Sequence, residues 1–342
     1  MSDRLRHWRP VLLSRRLRKR PVRVVMGGQE IVVFRTADGQ IGALQGRCPH
    51  RGTLLSSGKV IGERLQCAYH GWCFAPDGHG YSPGSPRVPQ RATSYDVAEE
   101  SGLIWLKNRS SPNAFPDLAP SGYRSCHTML RTVPAPVELL LDNFTEVEHT
   151  ATGHLTFGYP LERLHEVVFT SRIEDGVVHS RSAGPQKWVP PWTTAATGVR
   201  TGDRFVVEWV TRGEPLHVHY AMHWEDPRSG RPRPMKLYEV AYFWPLGQRR
   251  SALAALYYLQ LPPSRLPGQQ QAVSHSIASL IRFVEFPRDL RLMQALEGQP
   301  SSLDGCRLSR FDASLSLQRR LFFPGLQSEN ETGSETESEP AR

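Results

Sequence analysis

The chain of 342 residues contains no apolar run near the roughly 20 residues that a membrane-spanning helix needs. Its first residues, Met1 to Arg9, are charged and lack the apolar stretch of a secretory leader. The expected location is therefore the cytoplasm, where thiols stay reduced. Cysteine is scarce: the five present are too few and too scattered for a disulfide framework. A Gly-x-Gly-x-x-Gly fingerprint is missing, which argues against a dinucleotide held by this chain, and so is the Cys spacing of a plant-type ferredoxin. None of the standard nucleic-acid motifs is present either, so the net charge of +9 is not read as a nucleic-acid footprint. Much of that charge sits between Arg4 and Arg23, in Arg15, Arg16, Arg18, Lys19 and Arg20. It is either a solvated face or a dock for an acidic electron donor.

What is present begins with two short loops, Cys48-Pro49-His50-Arg51-Gly52 and Cys67-Ala68-Tyr69-His70-Gly71-Trp72. Each holds one thiol and one imidazole. Two Cys on one iron and two His on the other is the ligand set of a Rieske [2Fe–2S] centre. A structural Cys₂His₂ zinc site is the alternative, but such sites usually pair Cys with Cys and His with His, whereas here each loop is mixed. Both loops look like those of the Rieske family. Cys73, Cys126 and Cys306 are then expected to be buried small residues, and His79, outside both loops, a surface residue.

The length allows about two domains of ordinary size. Residues 8–106 read as short strands with turns: Val22–Met26, Ile31–Arg35, Ile41–Leu44, Arg64–Gln66, Trp72–Phe74 and Leu103–Leu106. Ser82-Pro83-Gly84-Ser85-Pro86 resembles the proline loop that covers the cluster in Rieske domains. The expected division is residues 1–110 for the Rieske domain, 111–122 for a Pro- and Ser-rich linker, 123–325 for a second domain, and 326–342 for a Glu-, Ser- and Thr-rich disordered tail. In the second domain six strands are predicted: Val167–Ile173, Val177–Ser182, Phe205–Val210, His217–Trp224, Lys236–Trp244 and Ser251–Leu259. Helices are predicted over Val137–Thr150 and over 270–297, the latter broken near Pro287. The fold class is α+β: an all-β Rieske domain, then a curved antiparallel sheet with helices on one side, a helix-grip-like arrangement.

The first of those helices carries Asn143, Glu146, His149 and, beyond Gly153, His154. Two imidazoles and a carboxylate on one face make the facial triad of non-haem Fe(II) oxygenases, whereas two unrelated histidines near a helix end are as readily capping or surface groups. Glu146 and His149, three apart on a helix, are expected to touch. His217, His219 and His223 alternate on one strand and either meet substrate or form a polar strand row. Trp209, Tyr220, Trp224, Phe243 and Tyr257 either line an apolar pocket or are ordinary core.

With both motifs in view, the whole chain resembles the oxygenase (alpha) component of Rieske non-haem iron oxygenases, of the short alpha-only type. The family pattern Asn-x-x-acid-x-x-His-x-x-x-x-His is met by Asn143, Glu146, His149 and His154. Many members have Asp where this chain has Glu146. Phe286-Pro287-Arg288-Asp289-Leu290-Arg291 resembles the segment that carries the third iron ligand and selects Asp289, although Arg288 stands where an acid is common. Glu285 and Asp304 are the alternatives. The resemblance implies one [2Fe–2S] cluster on Cys48, His50, Cys67 and His70, and one mononuclear Fe(II) on His149, His154 and Asp289. It also implies that Glu146 bridges to His70 of a neighbouring subunit in a homotrimer. Electrons would come from NAD(P)H through a separate ferredoxin or flavin reductase. The implied activity is hydroxylation of a small organic molecule with O2, with O- or N-demethylation, ring dihydroxylation and, from another class, simple electron carriage as alternatives.

Overall fold

The loops at Cys48 and Cys67 close in the same way. In each, the Cys carbonyl accepts from the N–H of the Gly four residues on (Gly52, 2.9 Å; Gly71, 3.2 Å), and the Cys N–H donates to the residue after that Gly (Thr53, 2.8 Å; Trp72, 2.8 Å). The closure needs a left-handed residue at the fifth position, where Gly52 and Gly71 have φ of +72° and +71°. In this computed structural model, which describes residues 5–263 and 267–326, the two loops rise from a β-unit of three small sheets.

A five-stranded sheet orders Lys59–Ile61, Arg64–Gln66, Cys73–Phe74, His79–Ser82 and Ser85–Arg91, and carries the second loop between its second and third strands. A three-stranded sheet joins Val22–Met26, Gln29–Arg35 and Ile41–Gln45; another joins Arg9–Leu13, Leu103–Asn108 and Tyr95–Glu100. Val32, Phe34, Leu44, Leu55, Leu65 and Phe74 bury their side chains together with the two cysteines. Each such side chain contributes about 1.5–3 kcal/mol by leaving water.

The chain divides into two compact units, Met1–Leu118 with Thr128–Leu130, and Ala119–His127 with Arg131–Arg342. The first runs past residue 110 into the stretch expected as linker. The reason is local: Phe115 packs edge-on against both Trp8 and Trp105 (5.3 Å each), and Asn113 donates to the carbonyl of Arg6 at 2.8 Å.

The second unit is built on a seven-stranded sheet. From Val168–Glu174 the chain meanders antiparallel through Val177–Pro185, Arg204–Arg212, His217–Glu225, Pro232–Gly247 and Arg250–Gln260. The seventh strand, Arg124–Val133, lies beside the last of these at the sheet edge. Six strands were expected; this one lacks a clean apolar alternation and is half exposed. Helix Val137–Thr145 packs on Pro232–Gly247 and Arg250–Gln260, and helix Ala313–Phe322 on Val168–Glu174 and Val177–Pro185.

Two helical expectations change. The helix expected over Val137–Thr150 stops at Thr145, because Glu146 turns extended (φ −98°, ψ 154°), and a short turn, Thr150–Gly153, follows. The helix expected over 270–297 runs Gln269–Leu280, then a π segment Ile281–Glu285, then Phe286–Ala295. Its irregularity precedes Pro287, which occupies the first turn of the last segment, where a missing N–H costs nothing. Residues 327–342 of the expected tail lie outside the described residues.

Candidate active site

In the first unit the four Rieske candidates sort by atom type. Cys48 and Cys67 are each 3% exposed, whereas His50 and His70 are exposed to solvent. Burial, with the Cys67 thiol alongside, pushes the Cys48 thiol up to about 11. The imidazole rings lie 4.5 Å apart, and His50 stacks on Trp72 at 4.5 Å. Pro83 covers the loop: a side chain at Gly71 would sit 3.4 Å from its ring. A thiol pair inside and an imidazole pair outside suit a two-iron cluster with one Cys₂ and one His₂ iron. His79 is exposed and paired with Asp77, as a surface residue should be. Of the remaining cysteines, Cys73 is buried and Cys126 partly so, but Cys306 is exposed, contrary to expectation.

In the second unit the structure brings His149, His154 and Asp289 together, with ligand atoms all within 4.8 Å of one another. Asp289 Oδ1 lies 2.9 Å from His154 Nε2 and 3.5 Å from His149 Nε2. On its other side His149 Nδ1–H donates to the Glu146 carboxylate, which fixes the tautomer and leaves Nε2 facing the centre of the set. Burial draws His149 down, but Asp289 and Glu146 outweigh it and hold the imidazole at about 9. Burial likewise opposes the charge on Asp289, and His154 and His149 keep its carboxyl well below the ordinary range. Two imidazole nitrogens and one carboxylate oxygen fit an iron(II) that keeps open positions.

Glu146 and His149 do touch, though not as neighbours on a continuous helix. Glu146 ends one helix and its carboxylate accepts from the N–H groups of Glu148 (2.6 Å) and His149 (3.1 Å), starting the next turn. The loop after it is held from three sides. Glu285 accepts from the N–H groups of Leu155 and Thr156 (2.9 Å each) and from the Thr156 hydroxyl (2.7 Å), which commits its carboxylate elsewhere than the triad. Lys187 donates to the carbonyls of Thr150 (3.0 Å), Ala151 (2.9 Å) and His154 (2.7 Å). Arg288 donates to that of Gly153 at 3.2 Å. Asp304 is exposed and bound to Ser302, away from the set. Lys187 carried no sequence signal, because nothing beside it in the chain marks it until the loop folds over it.

The triad opens on a cavity of about 870 Å³, partly continuous with solvent. Its lining includes Asn143, Trp209, Tyr220 and Tyr257, but neither Trp224 nor Phe243. Phe243 packs on Phe144 at 5.1 Å, and Trp224 donates to Gln186 behind the cavity. His217, His219 and His223 alternate opposite to Tyr220 and Met222, so they lie on the other face of the sheet. There His219 contacts Tyr238 at 2.8 Å, and burial lowers its imidazole to about 3.

Sequence reasoning missed Glu239, which lines the same cavity. It is 8% exposed, accepts a hydrogen bond from Tyr257, and its Oε1 is buried without a partner. A lone acid in the run Leu237-Tyr238-Glu239-Val240-Ala241 was the available signal.

Comparison with known proteins finds likeness in the first part of the chain and in the fold as a whole. Residues 7–95 match the Rieske [2Fe-2S] domain family. The 4beta-methylsterol monooxygenase of Methylococcus capsulatus is 43% identical over 108 residues, 29% of this chain and 29% of its own length. Protein TIC 55 of Arabidopsis thaliana is 28% identical over 166 residues, 44% of this chain and 31% of its own. The chain thus spans under a third of the length of these curated relatives. Over the whole fold, a crystal structure of dicamba monooxygenase superposes with a TM-score of 0.71 at 18% identity, covering 93% of this chain and 96% of that one. NdmA of Pseudomonas putida CBB5 gives 0.64 at 19% identity, covering 93% and 89%. The fold is a Rieske [2Fe-2S] domain followed by an α+β domain arranged as in these structures. Residues 7–95 therefore belong to the Rieske [2Fe-2S] domain family, and the chain as a whole shares its fold with dicamba monooxygenase.

Proposed function

We propose that the chain hydroxylates a small apolar molecule with O2, using electrons from a separate reductase fed by NAD(P)H. The observation that carries this reading is the His149–His154–Asp289 set opening on an apolar cavity, in the same chain as a buried thiol pair and an exposed imidazole pair. Cys48, Cys67, His50 and His70 would hold a [2Fe–2S] cluster, and His149, His154 and Asp289 one iron. When bound, these groups supply the one-electron steps that reduce O2 for attack on a C–H bond. The residues do the rest. Glu146 holds the His149 proton on Nδ1, the aromatic lining keeps water from the reacting face, and Asn143 borders the cavity on the inward side of its helix.

By family resemblance Glu146 bridges to His70 of a neighbouring subunit in a cytoplasmic homotrimer. Demethylation by methyl hydroxylation uses the same iron chemistry and is the second reading; ring dihydroxylation ranks below it. A Rieske electron carrier without oxygenase activity would leave the triad and its cavity without use.

Purified protein should bind about three irons per chain, and His149→Ala should remove about one of them. Glu146→Ala should keep both metals but form no product. Unchanged iron in the first variant refutes the triad, and full turnover in the second refutes the bridge.

A further inference from the structure

Four side chains of the sheet lie in one row across four neighbouring strands at the cavity: Trp209 is paired with Tyr220, Tyr220 with Glu239, and Glu239 with Tyr257. Such cross-strand partners are in side-chain contact range. Glu239 is therefore flanked on both sides by aromatic rings. The two tyrosine hydroxyls are already committed, Tyr220 donating to the Phe144 carbonyl and Tyr257 to Glu239 itself. Glu239 Oε1 is left buried and unpartnered.

Acids outnumber bases in the lining around this row. Glu146, Glu239, Glu285 and Asp289 line the cavity, and among its described lining residues there is no Lys or Arg. A carboxylate substrate would find no Lys or Arg to pair with beside this row. A buried carboxylate with an idle oxygen also costs several kcal/mol until something donates to it. Burial, only partly offset by Tyr257, pushes the Glu239 carboxyl up to about 8, so the empty site keeps its proton near neutral pH and a cation placed beside it would draw it into the ionised form.

We infer that Glu239 is the substrate-recognition residue and that its ligand is a protonated amine: an apolar molecule with one basic nitrogen, held by Oε1 between the faces of Tyr220 and Tyr257. A cation meets both requirements at once. It completes the carboxylate's hydrogen bonding, and it sits against aromatic rings whose quadrupoles attract positive charge. The inference rests on the oxygenase reading for what happens next, but not for the binding itself.

The test is a binding measurement on the purified, iron-loaded full chain, read by calorimetry and by tryptophan fluorescence, with three probes of similar apolar size: N,N-dimethylphenethylamine, phenethyl alcohol and 3-phenylpropanoate. The amine should bind at least about tenfold more tightly than the other two. Glu239→Gln, nearly isosteric, should bring the amine down to the level of the alcohol. Equal or tighter binding of the acid, full amine affinity in the variant, or no binding of the amine overturns the proposal. Should Glu239→Gln fail to fold, the ranking in the unmodified chain decides alone. A chain that binds the amine but, with its cluster and iron chemically reduced, consumes no O2 refutes the oxygenase reading and leaves this one. A chain that hydroxylates the alcohol and ignores the amine does the reverse.

Discussion

Lys187 shows how a residue outside the ligand set governs a metal site. Its ammonium holds three carbonyls of the segment that delivers His149 and His154. Charge-assisted bonds of this kind are about twice as strong as neutral ones. Lys187→Met should free the loop and weaken Fe(II) binding by about 10–100-fold, the usual cost of losing a group that orients metal ligands. Anaerobic iron titration measures this, and unchanged affinity would show that Glu285 and Arg288 suffice. The residue scale is also where legibility was most uneven. The two loops at Cys48 and Cys67 and the paired histidines could be picked out because Cys and His are few and closely spaced there, whereas Asp289 was reached only through the resemblance of its segment to that of a known family. Lys187 could not, because its role exists only once distant segments meet, and Glu239 showed only as a lone acid in an otherwise apolar strand.

At the scale of elements, helix Ala313–Phe322 is pinned to helix Val137–Thr145 by one buried ion pair. Arg319, its side chain 5% exposed, makes two parallel bonds to Asp142, and Gln318 and Ser314 bond Thr145 at the same interface. Arg319→Ala strands the Asp142 charge and should cost about 3–5 kcal/mol, read as a lower denaturant midpoint. Replacing both partners by apolar residues of similar volume should recover most of that loss. A single variant as stable as the parent would mean that Asp142 is already neutral. Sequence foresaw six of the seven strands of this sheet because β-branched and aromatic residues alternate along them. It did not foresee Arg124–Val133, whose burial is irregular, or the helix at 313–322. It also ran the first helix past Thr145, since no Pro or Gly marks the stop. The stop comes from a side chain, Glu146, competing for the backbone N–H groups ahead of it.

For the whole molecule, the division into two compact units predicts that the metal sites fail separately. Cys48→Ala should abolish the visible absorption of the cluster while leaving about one iron per chain in the second unit. Loss of all iron from that variant would show that the units fold as one.

The cavity draws on two independent sources. The side chains that would hold iron come from the segments around residues 149–154 and 286–295, and the row facing them comes from strands of the sheet. Selection, natural or in the laboratory, can therefore rewrite what the protein accepts by exchanging residues at positions 209, 220, 239 and 257 without disturbing what it does to it. Because side chains alternate along a strand, each such exchange is a local edit, while an insertion in the 226–231 turn that slipped the register would turn Glu239 away from the cavity and Tyr238 into it. Chemistry and taste are inherited here on separate pieces of chain.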